Sequence, residues 1–217
     1  MKLKAIIFDL DGTILDTLED LKNSVNFALG LNDMPERTYD EVRSFVGNGI
    51  RRLIERSVPD GTPSDMVDKC LEDFRNHYKL HSADTTRPYD GILPLLSELK
   101  SQGISLAVVS NKADFAVQTL VAEYFPDLFD FAVGDREGIN RKPSPDSVYE
   151  AMRVFGVTRD EVIYVGDSEV DVETSRNAQV PCVAVTWGFR DKCVLEGLGP
   201  EYIIDKPSLL TEIISER

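Results

Sequence analysis

Residues 5–13 read AIIFDLDGT. The first four are apolar with no polar residue among them, which is typical of a β-strand buried on both faces. Asp9 and Asp11 follow, and because Asp favours turns over strands, the chain is expected to leave its sheet here. Ligands of an open α/β sheet bind at the carboxyl ends of its strands. Two carboxylates so close together repel each other unless a cation or a shared proton relieves them, and Mg²⁺ suits such oxygen ligands.

Length and composition limit the class of protein. The 217 residues are enough for one large domain, or for one domain that carries a smaller one. The net charge of −14 disfavours nucleic acid and anionic membranes as partners, and no segment reaches the length of a membrane span. No apolar signal region precedes the first strand, which predicts a cytoplasmic protein. Three widely spaced cysteines predict neither a disulfide framework nor a zinc site.

The hydrophobic pattern divides the chain into two parts. Residues 17–85 show helical spacing and no strand pattern, and Thr17 is the expected N-cap of the first helix. From Tyr89 onward, buried strands alternate with helices, which indicates a parallel sheet. We therefore predict an α/β domain made of residues 1–16 and 86–217, with a Rossmann-like parallel sheet flanked by helices. Residues 17–85 are predicted to form a small all-helical domain inserted after the first strand.

Polar residues follow two further buried strands. The strand at 104–109 is predicted to end at Ser110 and Asn111, and the strand at 162–165 ends just before Asp167. Because the carboxyl ends of parallel strands lie at one edge of a sheet, these groups should meet Asp9 and Asp11. Lys142 stands just before a predicted helix and adds one cation near the same edge.

In this order, the Asp-x-Asp pair, Ser110, Lys142 and the Asp167–Asp171 pair resemble the four motifs of the haloacid dehalogenase superfamily of phosphatases. Ser110 and Lys142 are weak signals when taken singly, whereas the ordered set is specific and spans nearly the whole chain. The resemblance implies that Asp9 is a nucleophile that forms an aspartyl phosphate. Asp11 would be the general acid and base that protonates the leaving alcohol and then deprotonates the attacking water.

The same resemblance implies a Mg²⁺ cofactor and a cradle for the phosphoryl group. Asp9, the main-chain carbonyl of Asp11 and Asp167 would bind the ion, and Asp171 would reach it through a water molecule. The residues expected to bind phosphate are Gly12, Thr13, Ser110, Asn111 and Lys142.

The helical insert resembles the type-1 cap of this superfamily, which closes over the site and reads the leaving group. Gly47, Asn48 and Gly49, with Arg52, resemble the cap loop of phosphoglycolate phosphatases and are the expected determinants of specificity. Residues 187–190 resemble the same subgroup and are expected at the entrance. The predicted function is Mg²⁺-dependent hydrolysis of a small phosphorylated metabolite, with phosphoglycolate as the leading candidate.

Several alternatives stay open at this point. An Asp two residues after the nucleophile disfavours a true dehalogenase, which needs no acid for its halide. A β-phosphoglucomutase-like phosphoryl transferase or a pyrophosphatase would share these motifs. A phospho-accepting receiver module also gathers acidic residues, a hydroxyl and a lysine at one sheet edge, although it lacks the second aspartate at this spacing and the insert. Both a monomer and a homodimer are compatible with the sequence.

Overall fold

The computed structural model of the protein describes residues 3–215. The chain forms two compact units. The sheet unit contains the chain up to Leu15 and from Pro88 onward, and the helical unit is Asp16–Arg87.

The strands of the described residues are, in chain order, β1 (Ala5–Phe8), β2 (Leu15–Asp16), β3 (Arg87–Pro88), β4 (Ser105–Ala113), β5 (Phe131–Asp135), β6 (Val162–Gly166), β7 (Cys182–Val185) and β8 (Tyr202–Ile204). Within residues 3–215, β2 pairs with β3, and the other six strands form one parallel sheet in the order β5-β4-β1-β6-β7-β8.

The helices of the helical unit are α1 (Leu18–Leu31), α2 (Tyr39–Phe45), α3 (Ile50–Ser57) and α4 (Ser64–His81). Those of the sheet unit are α5 (Ile92–Ser101), α6 (Asp114–Tyr124), α7 (Asp146–Phe155), α8 (Glu169–Ala178), α9 (Lys192–Leu198) and α10 (Leu209–Ser215). Because α5 to α8 pack against the parallel sheet, the predicted α/β architecture is confirmed.

The central strand β1 brings the three predicted motif strands together. Phe8 is level with Val108 of β4 on one side and with Val165 of β6 on the other. The side chains of β1 are essentially inaccessible to solvent, and burying Ile6 or Ile7 contributes about 2 kcal/mol each. The residues that follow these strands therefore emerge at one level of one sheet edge.

The sheet unit differs from the sequence prediction in two places. β4 does not end at Ser110 and Asn111 but continues to Ala113, and its register with β5 shifts between Val109 and Ala113. The extension is possible because the polar side chains of Ser110 and Lys112 are buried against other polar groups. Helix α9 was not predicted, since Gly197 weakens the helical pattern of its seven residues.

The start of α1 is held by a buried carboxylate. Thr17 occupies the N-cap position as predicted, but its side chain makes no capping hydrogen bond. Asp20, 1% exposed, instead accepts hydrogen bonds of 2.7–3.1 Å from the backbone N–H and hydroxyl groups of Thr85 and Thr86. The two ends of the helical unit are thereby joined through one side chain.

Replacing Asp20 with Ala should lower the free energy of unfolding by about 3 kcal/mol, because the donors of Thr85 and of the buried Thr86 lose a charged acceptor. Denaturant unfolding followed by circular dichroism measures the change. Asp65→Ala is a matched control, since Asp65 lies in the first turn of α4 and is exposed. Equal destabilisation by the two substitutions would contradict the prediction.

Within residues 3–215, no helix is both long enough and apolar enough to cross a membrane.

Candidate active site

The turn after β1 carries the Asp-x-Asp pair. The backbone N–H of Asp9 donates to the carbonyl of Val165 at 2.9 Å, so the nucleophile candidate is still tied to β6. Gly12 has φ +83°, and a Cβ at this position would overlap the Asp167 carboxylate. The turn therefore requires glycine both for its backbone conformation and for its close approach to Asp167.

Gly12 and Thr13, which are expected to bind phosphate, donate their N–H groups to carbonyls of the turn. The N–H of Gly12 donates to the carbonyl of Leu15 at 2.9 Å, and that of Thr13 donates to Leu10 at 3.3 Å. The hydroxyl of the fully buried Thr13 donates to Asp167 Oδ1 at 3.3 Å. These two residues shape the turn and orient Asp167.

Lys142 lies at the centre of the cluster. Its side chain is 3% exposed, and its Nζ lies 2.8 Å from Asp9 Oδ1 and 2.8 Å from Asp171 Oδ1. The Nζ also donates to the hydroxyl of Tyr164 at 3.0 Å. Burial would lower the pKa of Lys142, but the carboxylates of Asp171 and Asp9 raise it, so the ammonium form is favoured.

Ser110 and Asn111 lie in β4, and Asn111 contacts the segment that carries Lys142. Ser110 is buried in β4, and its hydroxyl accepts the N–H of Lys112 at 3.2 Å. The side-chain amide of Asn111 donates to the carbonyl of Lys142 at 3.0 Å, which fixes the segment that carries the lysine.

Asp171 accepts hydrogen bonds through both oxygens of its carboxylate. Its Oδ1 accepts from Lys142 and from the Tyr164 hydroxyl, the latter at 3.0 Å. Its Oδ2 accepts from the N–H groups of Asp167 and Ser168 and from the Ser168 hydroxyl at 2.6–3.2 Å. Burial opposes ionisation of Asp171, but the Lys142 ammonium and these donors hold its pKa below the usual value. Asp171 also completes the capping box of α8, so it fixes both the helix and the lysine.

Asp167 is oriented by the segment that follows β7. Its Oδ2 accepts the N–H of Phe189 at 2.6 Å. A Cβ at Gly188 would overlap the Gly12 carbonyl and the Asp167 side chain. The segment that contains Gly188 is therefore in close contact with Asp167 and with the turn after β1. The indole N–H of Trp187 donates to the carbonyl of Thr13 at 3.0 Å, which ties the same segment to the turn after β1.

Three buried carboxylates lie close enough together at this edge of the sheet to bind one divalent cation. One oxygen atom from each of Asp9, Asp167 and Asp171 lies within 4.8 Å of the others. The pKa of Asp9 is raised to about 7 because burial outweighs the lowering effect of Lys142 and because Asp171 adds repulsion. Burial, together with Asp171 and Asp9, raises the pKa of Asp167 well above its usual value.

The net charge of the cluster and the buried Oδ1 of Asp9 are both compatible with a bound divalent cation. The contact between Lys142 and Asp9 Oδ1 lacks hydrogen-bond geometry, and no group in residues 3–215 donates a hydrogen bond to this buried oxygen. The four carboxylates of the cluster, with Asp11 included, face two ammonium groups, those of Lys112 and Lys142. Two negative charges remain when all six groups are ionised, which one divalent cation would balance.

Two residues that the sequence analysis did not select belong to this cluster. Lys112 places its Nζ 2.8 Å from Asp11 Oδ1. It stands two positions after Ser110, so a continued strand would have placed both on one face. Tyr164 is the one aromatic residue of β6, and its hydroxyl bridges Lys142 and Asp171.

The predicted specificity residues lie in the helical unit. Gly47 and Gly49 have φ +123° and +82°, a region that favours glycine, and Gly49 precedes the first residue of α3. The Arg52 side chain is 67% exposed and its Nη1 lies 2.8 Å from Glu55 Oε2. Arg51 forms an ion pair of 2.5 Å with Asp68.

A parallel sheet that gathers this set of carboxylates, lysines and a serine at its carboxyl edge is suited to hydrolysis through an enzyme nucleophile. The chain matches the family of haloacid dehalogenase-like hydrolases over residues 6–185, and it belongs to this family. Membership confirms the resemblance and favours a hydrolase over the receiver-type alternative.

Similar proteins are known from bacteria. The phosphoglycolate phosphatase of Agrobacterium fabrum is 34% identical over 216 residues, which cover 97% of this chain and 92% of that protein. That of Aquifex aeolicus is 30% identical and covers 98% and 97% of the two chains. A crystal structure from Lactobacillus delbrueckii subsp. bulgaricus, provisionally named a phosphoglycolate phosphatase, superposes with a TM-score of 0.94 at 39% identity and covers 99% of each chain.

Proposed function

We propose that this protein is a Mg²⁺-dependent phosphatase that hydrolyses small phosphorylated metabolites through an aspartyl-phosphate intermediate, with phosphoglycolate as the leading substrate. One observation carries the proposal: Asp9 and Asp11 stand at the end of the central strand, each beside a buried lysine, with Asp167 close to Asp9. The names of the relatives support the choice of substrate.

In the first half of the reaction, an oxygen of Asp9 attacks phosphorus and the bond from phosphorus to the ester oxygen breaks. Asp11 gives its proton to the leaving alcohol. In the second half, Asp11 takes a proton from water as that water attacks phosphorus. The bond to Asp9 then breaks, inorganic phosphate is released, and both carboxyl groups return to their starting forms.

Asp9, Asp167 and the main-chain carbonyl of Asp11 would hold Mg²⁺, and Asp171 belongs to the same acidic cluster. When bound, the ion neutralises charge on the phosphoryl oxygens and orients them. The contacts of Asp171 support a further role, which is to hold Lys142 in place. Ser110 and Lys142 would bind phosphoryl oxygens, while Asn111 fixes the lysine segment.

We assign residues 17–85 to a cap domain and residues 1–16 and 86–217 to the catalytic core. The cap loop with Gly47, Asn48, Gly49 and Arg52 would read the carboxylate of the substrate. The positive φ angles at Gly47 and Gly49 support this role, because turns of this kind can form a concavity that binds an anion.

The substrate assignment is tested by ranking kcat/KM for phosphoglycolate, pyrophosphate and β-glucose 1-phosphate with Mg²⁺. Phosphoglycolate should be preferred by about tenfold or more, since a site that pairs with a substrate carboxylate rejects substrates lacking it. Chelation of the metal should abolish turnover, and added Mg²⁺ should restore it.

The other outcomes of this panel separate the alternatives. Dependence on a sugar bisphosphate primer would identify a mutase, and preference for pyrophosphate would identify a pyrophosphatase. Failure to turn over any phosphate ester would overturn the proposal.

A further inference from the structure

The buried ion pair between Lys112 and Asp11 has no part in the reaction described above. The Lys112 side chain is 3% exposed and that of Asp11 is 16% exposed, and Nζ lies 2.8 Å from Oδ1. Burying an unpaired ammonium group costs on the order of several kcal/mol of desolvation free energy. The Asp11 carboxylate offsets this cost for Lys112.

The local structure of β4 directs this lysine toward Asp11. The register of β4 with β5 shifts between Val109 and Ala113, and such irregularities re-aim side chains near active sites. Gly134 of β5 passes so close that a Cβ there would overlap the carbonyl of Lys112. The N–H of Lys112 is in turn held by the Ser110 hydroxyl at 3.2 Å. The backbone of Lys112 is therefore constrained from two sides.

The two buried lysines of the site pair with different carboxylates. Lys142 lies against Asp9 and Asp171, and Lys112 lies against Asp11. This division means that the nucleophile candidate and the acid–base candidate are each anchored separately, although only one residue stands between them in the sequence.

We propose that Lys112 is a positioning residue that anchors Oδ1 of Asp11, so that Oδ2 is left to exchange a proton with the leaving alcohol and with water. The ammonium group also lies where negative charge appears on Asp11 as its proton departs, which favours the transition state of that step. This inference rests on the proposed function, because it assumes that Asp11 is the acid and base.

The experiment compares Lys112→Met, Asp11→Asn and the double variant with the unmodified protein. It uses kcat/KM with phosphoglycolate, whose alcohol needs a proton to leave, and with p-nitrophenyl phosphate, whose phenolate leaves without one. The parameter kcat/KM reports the steps up to formation of the aspartyl phosphate, where the leaving group matters. Lys100→Met is the matched control, since it breaks an ion pair of 2.6 Å with Asp130, which precedes β5 at the opposite edge of the sheet.

Lys112→Met should lower kcat/KM for phosphoglycolate by about 10- to 100-fold, which is at most the lower end of what general acid–base catalysis contributes, because Asp11 itself remains. For p-nitrophenyl phosphate the loss should be about threefold or less. Asp11→Asn should show the same selectivity, and adding Lys112→Met to it should cause little further loss. Lys100→Met should leave both values unchanged.

An equal loss on both substrates, or a full additional loss in the double variant, would show that Lys112 binds substrate or only supports the fold. No loss on either substrate would equally overturn the inference. Retained p-nitrophenyl phosphatase activity shows that the variant is folded, and Lys112→Gln provides a second uncharged side chain should the methionine variant aggregate. If Asp11→Asn itself lacks the selectivity, the proposed function fails first, and the two failures are thereby distinguished.

Discussion

Replacing Asp9 with Asn should reduce kcat by about 10⁴-fold or more, the scale seen when a covalent nucleophile is removed. The amide is close to the carboxylate in shape but cannot form the acyl phosphate. Because the side chain is buried at the end of β1 and is not needed for the strand ladder, the fold should persist. Steady-state assays measure the rate, and intact mass after rapid acid quench of a reacting sample measures the phosphorylated protein.

The matched control is Asp205→Asn. Asp205 is exposed and follows β8 of the same sheet, so the substitution is chemically identical at another strand end. Its activity should be unchanged. A near-normal rate for Asp9→Asn, or a phosphoprotein of equal abundance in both variants, would be incompatible with a nucleophilic Asp9.

Replacing Lys142 with Met should have the second largest effect. It removes the cation that lies between Asp9 and Asp171, and loss of a preorganised charge of this kind lowers kcat by about 10³-fold. Breaking a buried ion pair should also lower the free energy of unfolding by about 3 kcal/mol at neutral pH. Chelator-treated protein is the right sample, because a bound cation would compensate for the missing lysine.

The pH dependence of this stability loss has a definite sign. In the native protein the pKa of Asp9 is raised from 3.8 to about 7, so the folded state holds a proton that the unfolded chain has released. Removing Lys142 raises this pKa further. Because Asp9 is protonated in both native proteins below about pH 7, the stability deficit should grow as pH rises above about 7. The double variant Lys142→Met, Asp171→Asn should recover part of the stability but none of the activity. A deficit that is independent of pH would contradict this account.

The convergence of the site could be predicted from sequence because it follows from a few strong signals. Apolar runs identified β1, β4 and β6, and parallel strands place their carboxyl ends at one edge, which brought Asp9, Asp167 and Ser110 together. No knowledge of side-chain contacts was required for that step. The position of Lys142 before α7 placed a cation near the same edge, a weak indication by itself that the family resemblance then strengthened.

What the sequence did not reveal depends on contacts between distant residues. Lys112 was missed because β4 was expected to end at the first polar residue, whereas burial of polar groups against one another prolongs it. Thr17 occupies the N-cap, but the local pattern could not show that a carboxylate three residues later would bind the far end of the insert. The pattern also does not show which carbonyls of the turn accept the N–H groups of Gly12 and Thr13.

The glycines around the carboxylates also bear on how the enzyme could be redesigned. A methyl group at Gly12, Gly166 or Gly188 would collide with Asp167 or Asp171 or with adjoining backbone. Mutagenesis libraries that seek a new substrate preference should therefore leave these three positions untouched. Diversity is better directed to the exposed arginines beside the loop at 47–49, where side chains can be exchanged without disturbing the chemistry.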